Sequence, residues 1–165
     1  LFIINMLKPG QKIPLNLKFK KHLYQWVELS SFLDQLLVIY FYPKDDTPGC
    51  TIQAQQFNHF RSALNELGVK IVGVSKDSPR LHQAFKEKYG LNFELLSDET
   101  HRLHQAFGVW QEKRRFGASY QGAVRSTFAV DERGDIVKVW PRAEPKDNAK
   151  EVYQFFKDFN QAEKP

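Results

Sequence analysis

The stretch Leu36-Leu37-Val38-Ile39-Tyr40-Phe41-Tyr42-Pro43-Lys44-Asp45-Asp46-Thr47-Pro48-Gly49-Cys50-Thr51 decides how this chain is read. Residues 36–42 are apolar throughout, the pattern of a central strand covered on both faces. A loop with two prolines and a glycine follows, and a helical pattern begins at about Thr51. Cys50, the only cysteine in the sequence, therefore stands at a helix N-terminus. There it meets unpaired backbone N–H groups and the positive end of the helix dipole, and both favour the thiolate, the nucleophilic form of the side chain. A lone cysteine on an apolar face is more often a buried structural residue. Here its neighbours are proline, glycine and threonine, which favours the reactive reading.

Outward from that stretch, the pattern alternates between strands and helices. A helix is expected over residues 51–67, with Ala54, Phe57, Phe60, Leu64 and Leu67 on one stripe and Gly68 as its stop. Residues 69–75 read as a second central strand. Ser78 and Pro79 then open a helix as N-cap and first turn, and Gly90 closes it. A short strand at 94–96 leads to a helix near 99–107. Residues 126–130 and 136–140 form a hairpin around Gly134, and a last helix spans about 147–160. Before the first central strand, residues 15–19 alternate as a half-buried strand does. Residues 109–124 show no periodicity and are expected to be a long binding loop. The whole is an α/β sandwich, a mixed central sheet flanked by helices, in one domain over residues 6–165. Leu1 to Asn5 precede Met6 and are expected to be an extra segment.

Composition narrows the function classes. The sequence has 165 residues, 42% of them hydrophobic and 14 of them phenylalanine, enough for a substantial core. A mean hydropathy of -0.51 and apolar runs far shorter than the ~20 residues that span a bilayer argue against a membrane protein. One cysteine excludes an intrachain disulfide framework and suits a reducing, cytoplasmic setting. The net charge of +5 is scattered; its densest run, Lys113-Arg114-Arg115, is read as a loop cluster outside any nucleic-acid-binding module. Neither a nucleic-acid nor a membrane partner is expected, although positive potential can attract anionic substrates or acidic reductants.

The run from Pro43 to Cys50 resembles the active-site segment of the peroxiredoxins, and more narrowly their Q-type or bacterioferritin-comigratory branch. Pro43, Thr47 and Cys50 match Pro-x-x-x-Thr/Ser-x-x-Cys. The likeness continues through Gly73-Val74-Ser75, Leu95-Leu96-Ser97-Asp98, Gly108-Val109-Trp110 and Arg125-Ser126-Thr127-Phe128. It implies a thioredoxin-like fold and a thiol-dependent peroxidase that reduces hydrogen peroxide and organic hydroperoxides through a sulfenic acid on Cys50. It also implies that Arg125 holds the thiolate and the peroxide, and that the Thr47 hydroxyl turns toward the sulfur. Read from its residue type alone, Thr47 serves equally as a helix N-cap, and Arg125 as one more solvated cation. Pro43 and Gly49 are expected to shape the substrate pocket, which is compatible with their plain turn chemistry.

One departure from the resemblance matters. Many Q-type members carry a resolving cysteine five residues after the first, and that position is Gln55 here. The sulfenic acid then needs an external thiol, such as thioredoxin or glutaredoxin with glutathione, or another copy of the chain, on a monomer or weak dimer. No cofactor is expected. His101 and His104 have i, i+3 spacing, but nothing completes a metal site, and they read as solvated polar residues. Two other functions compete: a non-enzymatic redox sensor using the same thiol, and a thioredoxin-like interaction domain with an inert cysteine. Thr47 and Arg125 favour the enzyme, because a sensor needs reactivity but no tuned peroxide site.

Overall fold

The computed structural model describes residues 6–22 and 25–162; the expected extra segment, residues 1–5, lies outside them. β3 (Leu36–Phe41) is the frame on which the rest is hung, and all six of its residues are buried. It pairs in parallel with β4 (Val69–Ser75), which pairs in parallel with β5 (Glu94–Ser97). On its other side it pairs antiparallel with β8 (Ser126–Val130), and β8 with β9 (Ile136–Trp140). β1 (Lys18–His22) joins β5 antiparallel and carries β2 (Gln25–Glu28) at the edge. The mixed seven-stranded order is β2-β1-β5-β4-β3-β8-β9.

Side chains alternate across β3 and so split the core in two. Leu36, Val38 and Tyr40 face α1 (Pro48–Glu66), α2 (Pro79–Tyr89) and α4 (Asn148–Ala162), meeting Ala54, Phe57, Phe85, Val152 and Phe156. Leu37, Ile39 and Phe41 face the opposite layer, where Leu103 and Phe107 of α3 (Arg102–Phe107) pack with Leu29, Phe32 and Phe128. Burying one such side chain stabilises the fold by about 1.5–3 kcal/mol. The two layers therefore hold β3 firmly, and the loop leaving it starts from a fixed point.

Several expectations need correction. Residues 109–124 are no loop: they form a two-stranded ribbon, β6 (Trp110–Arg115) and β7 (Ala118–Ala123), in its own small sheet. Much of both strands is exposed, so long polar side chains hide the period-2 signal that burial normally imposes. Lys113-Arg114-Arg115 accordingly lies on a strand. The ribbon closes through Phe116 and Gly117, both at positive φ (53° and 79°), a two-residue type I′ hairpin turn. A bulky residue in that conformation costs roughly 1–2 kcal/mol. The strand expected at residues 15–19 begins instead at Lys18. Leu15 and Leu17 owe their alternation to loop packing against the second core layer. α3 starts late because His101 takes a left-handed φ of 63°, and α1 begins at Pro48, three residues earlier than expected.

Candidate active site

The loop between β3 and α1 is anchored at Asp45. Its backbone N–H donates to Asp77 Oδ2 (2.8 Å), and Tyr42 donates its hydroxyl to Asp45 Oδ1 (2.6 Å). His82 Nδ1 lies 2.6 Å from Asp45 Oδ2, and His82 Nε2 donates to the Leu96 carbonyl at 3.1 Å. Burial, then the Asp45 charge, pushes the Tyr42 phenol well above its usual range and keeps it a donor. Asp45, Asp77 and His82 stand close enough together to resemble a metal cluster. Both ring nitrogens of His82 already lie at hydrogen-bond distance from protein oxygens, Nε2 from the Leu96 carbonyl and Nδ1 from Asp45, and the cluster reads as a buried anchor. One residue on, Asp46 accepts from Lys88 Nζ (2.8 Å) and the Tyr89 hydroxyl (2.7 Å), in that order of influence, which holds its carboxyl below the ordinary value. The loop is thus tied to α2 on both sides of its bend.

α1 opens with Thr47 as N-cap and Pro48 in the first turn, so Cys50 occupies the third helical position. Proline suits that turn because its missing N–H would have no partner there anyway. Cys50 is 1% exposed. Its Sγ lies 3.5 Å from Nη2 of Arg125, which reaches it from the residue just before β8. A Cβ on Gly49 would come within 3.1 Å of that same nitrogen, so a side chain at position 49 would crowd the guanidinium. Thr47 is positioned by the same loop, but its hydroxyl donates to the Lys44 carbonyl (2.7 Å) and not to the sulfur. With that proton committed, toward an incoming O–H the oxygen can only accept. Pro43 is half-buried where the strand ends.

Sequence reasoning missed Gln53. It lies one helical turn beyond Cys50, on the same face, and is fully buried. Its Oε1 accepts from Arg125 Nη1 (2.7 Å), and its Nε2 donates to Asn148 Oδ1 (3.3 Å), which also accepts from Thr127 Oγ1 (2.7 Å). The available signal was a polar residue at i+3 from the cysteine, beside Ala54 on an otherwise apolar stripe. The pairing leaves Arg125 unneutralised: among the described residues it makes no ion pair with a carboxylate. Its full charge therefore acts on the sulfur, in a buried setting where screening is weak.

A cavity of about 420 Å³ opens beside Arg125, walled in part by Met6, Lys113, Arg142 and Glu144. Burial first, then repulsion from Arg125, pulls Lys113 below its ordinary value. A larger hollow of about 940 Å³ lies between α2 and the β1 edge, with His82 and Lys86 in its wall. Arg125 lines the smaller cavity and not this one. His104, expected to be solvated, is fully buried: Asp98 Oδ2 lies 2.6 Å from its Nδ1, and its ring meets Phe41 and Trp110 edge-on. His101 stacks on Trp110 at 3.7 Å. The two histidines hold the root of the ribbon.

The sequence profile of the AhpC/TSA family matches residues 9–139. The chain is 43% identical over 152 residues to Peroxiredoxin Bcp of Bacillus subtilis, covering 92% of this chain and 96% of that protein. It is 44% identical over 128 residues to a putative peroxiredoxin Bcp of Coxiella burnetii, covering 78% and 85%. The bacterioferritin comigratory protein of Xanthomonas campestris, solved in work on its alkyl peroxide reduction activity, superposes with a TM-score of 0.86 at 33% identity, over 93% of this chain and 99% of that one. PrxQ of Xylella fastidiosa gives a TM-score of 0.88 at 32% identity, over 94% and 98%.

Proposed function

This chain belongs to the AhpC/TSA family as a thiol-dependent peroxidase of thioredoxin-like fold, and on that premise we propose that Cys50 is its attacking thiolate. The thiolate attacks the nearer peroxide oxygen, the O–O bond breaks, and the departing oxygen takes a proton and leaves as water or alcohol. Arg125 holds the thiolate and the negative charge that develops along the O–O axis. Thr47 Oγ1 accepts a hydrogen bond from the hydroperoxide O–H and so fixes its direction. Pro43 and Gly49 shape the approach. The observation that carries this reading is the Arg125 Nη2 contact with the sulfur of Cys50, in the first turn of a helix.

Hydrogen peroxide and organic hydroperoxides are the substrates we assign. The sulfenic acid on Cys50 condenses with an external thiol, releasing water, and a second thiol frees Cys50 as a disulfide forms on the reductant. Gln55 has no thiol to offer and lies about 140° around the helix from Cys50, counting 100° per residue. Thioredoxin, or glutaredoxin with glutathione, is the reductant class, in the cytoplasm, acting on a monomer or weak dimer built as one domain over residues 6–165. No nucleic acid takes part. The test is steady-state peroxide consumption with thioredoxin, glutaredoxin plus glutathione, and dithiothreitol side by side. Sustained turnover with at least one of them is expected. A single equivalent consumed with every reductant would make the chain a one-shot sensor instead.

A further inference from the structure

The β6–β7 ribbon ends in a feature that the peroxidase chemistry does not use. Phe116 stands at its apex with 94% of its surface exposed, and the left-handed backbone it adopts suits asparagine or glycine far better than phenylalanine. The guanidinium of Arg115 lies 5.2 Å over its ring. The turn-side run Lys113-Arg114-Arg115-Phe116-Gly117-Ala118-Ser119-Tyr120 contains three cations and no acid, and Glu112 is the next residue back along β6. Lys113 pairs across the ribbon with Tyr120, itself 46% exposed, and both side chains lie close over Gly122. That face leads back to the cavity beside Arg125, in whose wall Lys113 stands.

We propose that the tip of this ribbon docks on an anionic lipid surface, Phe116 entering the acyl boundary while Lys113, Arg114 and Arg115 engage headgroup phosphates. Charge complementarity and shape carry the assignment. A protein partner of ordinary affinity covers roughly 800 Å² per side on a broad patch, whereas a two-residue turn offers a single protruding apex. An exposed aromatic ringed by cations is the combination that anchors at a bilayer interface. This revises the expectation of no membrane partner: the chain lies on the bilayer and does not span it, and no described helix is long and apolar enough to cross one. Docked in this way, the protein turns the Lys113 face, and with it the cavity beside Arg125, toward the membrane surface.

The test is co-sedimentation of the full chain with vesicles of phosphatidylcholine, with and without 30% phosphatidylglycerol. Binding should appear with the anionic vesicles at low salt and fall at least tenfold in their absence or at 0.5 M salt. Each cation near such a surface is worth roughly fivefold, so Arg114→Gln with Arg115→Gln should weaken partition about 25-fold. Phe116→Asn should weaken it several-fold while leaving the melting temperature equal or higher, since asparagine accepts the turn conformation. Hydrogen peroxide turnover should be unchanged in all of these variants, which separates docking from the peroxidase reading. The proposal is overturned if anionic vesicles do not retain the chain. It is equally overturned if the tip variants bind like the parent, because dispersed surface charge would then be the cause, or if an acidic thiol reductant alone is held by the tip.

Discussion

The loop from Tyr42 to Cys50 and the ribbon from Trp110 to Ala123 meet around Arg125, which touches the sulfur of Cys50 and shares a cavity wall with Lys113, yet they are built by opposite rules. The loop is held by Asp77, Tyr42 and His82 at Asp45 and by Lys88 and Tyr89 at Asp46. The ribbon has its own two-stranded sheet, is anchored on His101 and His104 through Trp110, and ends in an exposed phenylalanine. Preorganisation is concentrated where charge must be met within a few ångströms. The ribbon, whose tip we assign to a surface, carries its polar and aromatic groups outward.

The comparison breaks first at the thiol. Cys50→Ser should abolish peroxide turnover while circular dichroism stays unchanged; residual activity above about 5% of the parent would remove Cys50 from the centre of the site. Next in size, Arg125→Ala should slow the peroxide step about 10²-fold, or ~2.7 kcal/mol, as for loss of one oxyanion-type donor. Stopped-flow rates equal to the parent would assign Arg125 to structure alone.

Gln53→Ala should be milder, roughly tenfold, because it leaves Arg125 in place but strips the acceptor that orients Nη1. Its signature is a slower peroxide step with an unchanged rate of reduction by the external thiol. An equal fall in both rates would mean general unfolding of α1.

Asp98→Asn addresses the ribbon root. Burial opposes the Asp98 charge, but the His104 side-chain and backbone bonds outweigh it, so its carboxyl sits below the ordinary range. A depressed carboxyl adds stability above its unfolded value of roughly 3.9, and that stability is lost as pH falls through the native value. The parent should therefore exceed Asp98→Asn by about 1–3 kcal/mol near neutral pH. In urea titrations the gap should close below about pH 4; a constant gap would dismiss the charge. The smallest effect is kinetic: trypsin under native conditions should cut at Arg114 or Arg115 before Lys44. The reverse order would erase the contrast between loop and ribbon.

These differences also mark what could be read in advance. β3, β4, β8 and α1 were legible because burial imprints a period on them: unbroken apolar residues in β3, and Ala54, Phe57 and Leu64 along α1. Cys50, Thr47, Gly49 and Arg125 were singled out through motif spacing; Arg125 Nη2 lies 3.5 Å from Cys50 Sγ and beside Gly49, while the Thr47 proton goes to Lys44. The ribbon was not legible, because a sheet wetted on much of its surface has no reason to alternate in hydropathy. Gln53 and His104 escaped for another reason. A buried polar side chain is identified by its partners, and Arg125 lies 72 residues away from Gln53 along the chain.

The amide at Gln53 makes one contact of the site indifferent to acid. A carboxylate at that position would take up a proton as the surroundings acidify, and the grip on Arg125 would change with it. A carboxamide binds no proton anywhere in the working range of a cell. Its hold on the guanidinium is therefore the same in weak acid as at neutrality. The orientation of Arg125 is thereby insulated from the proton concentration around it.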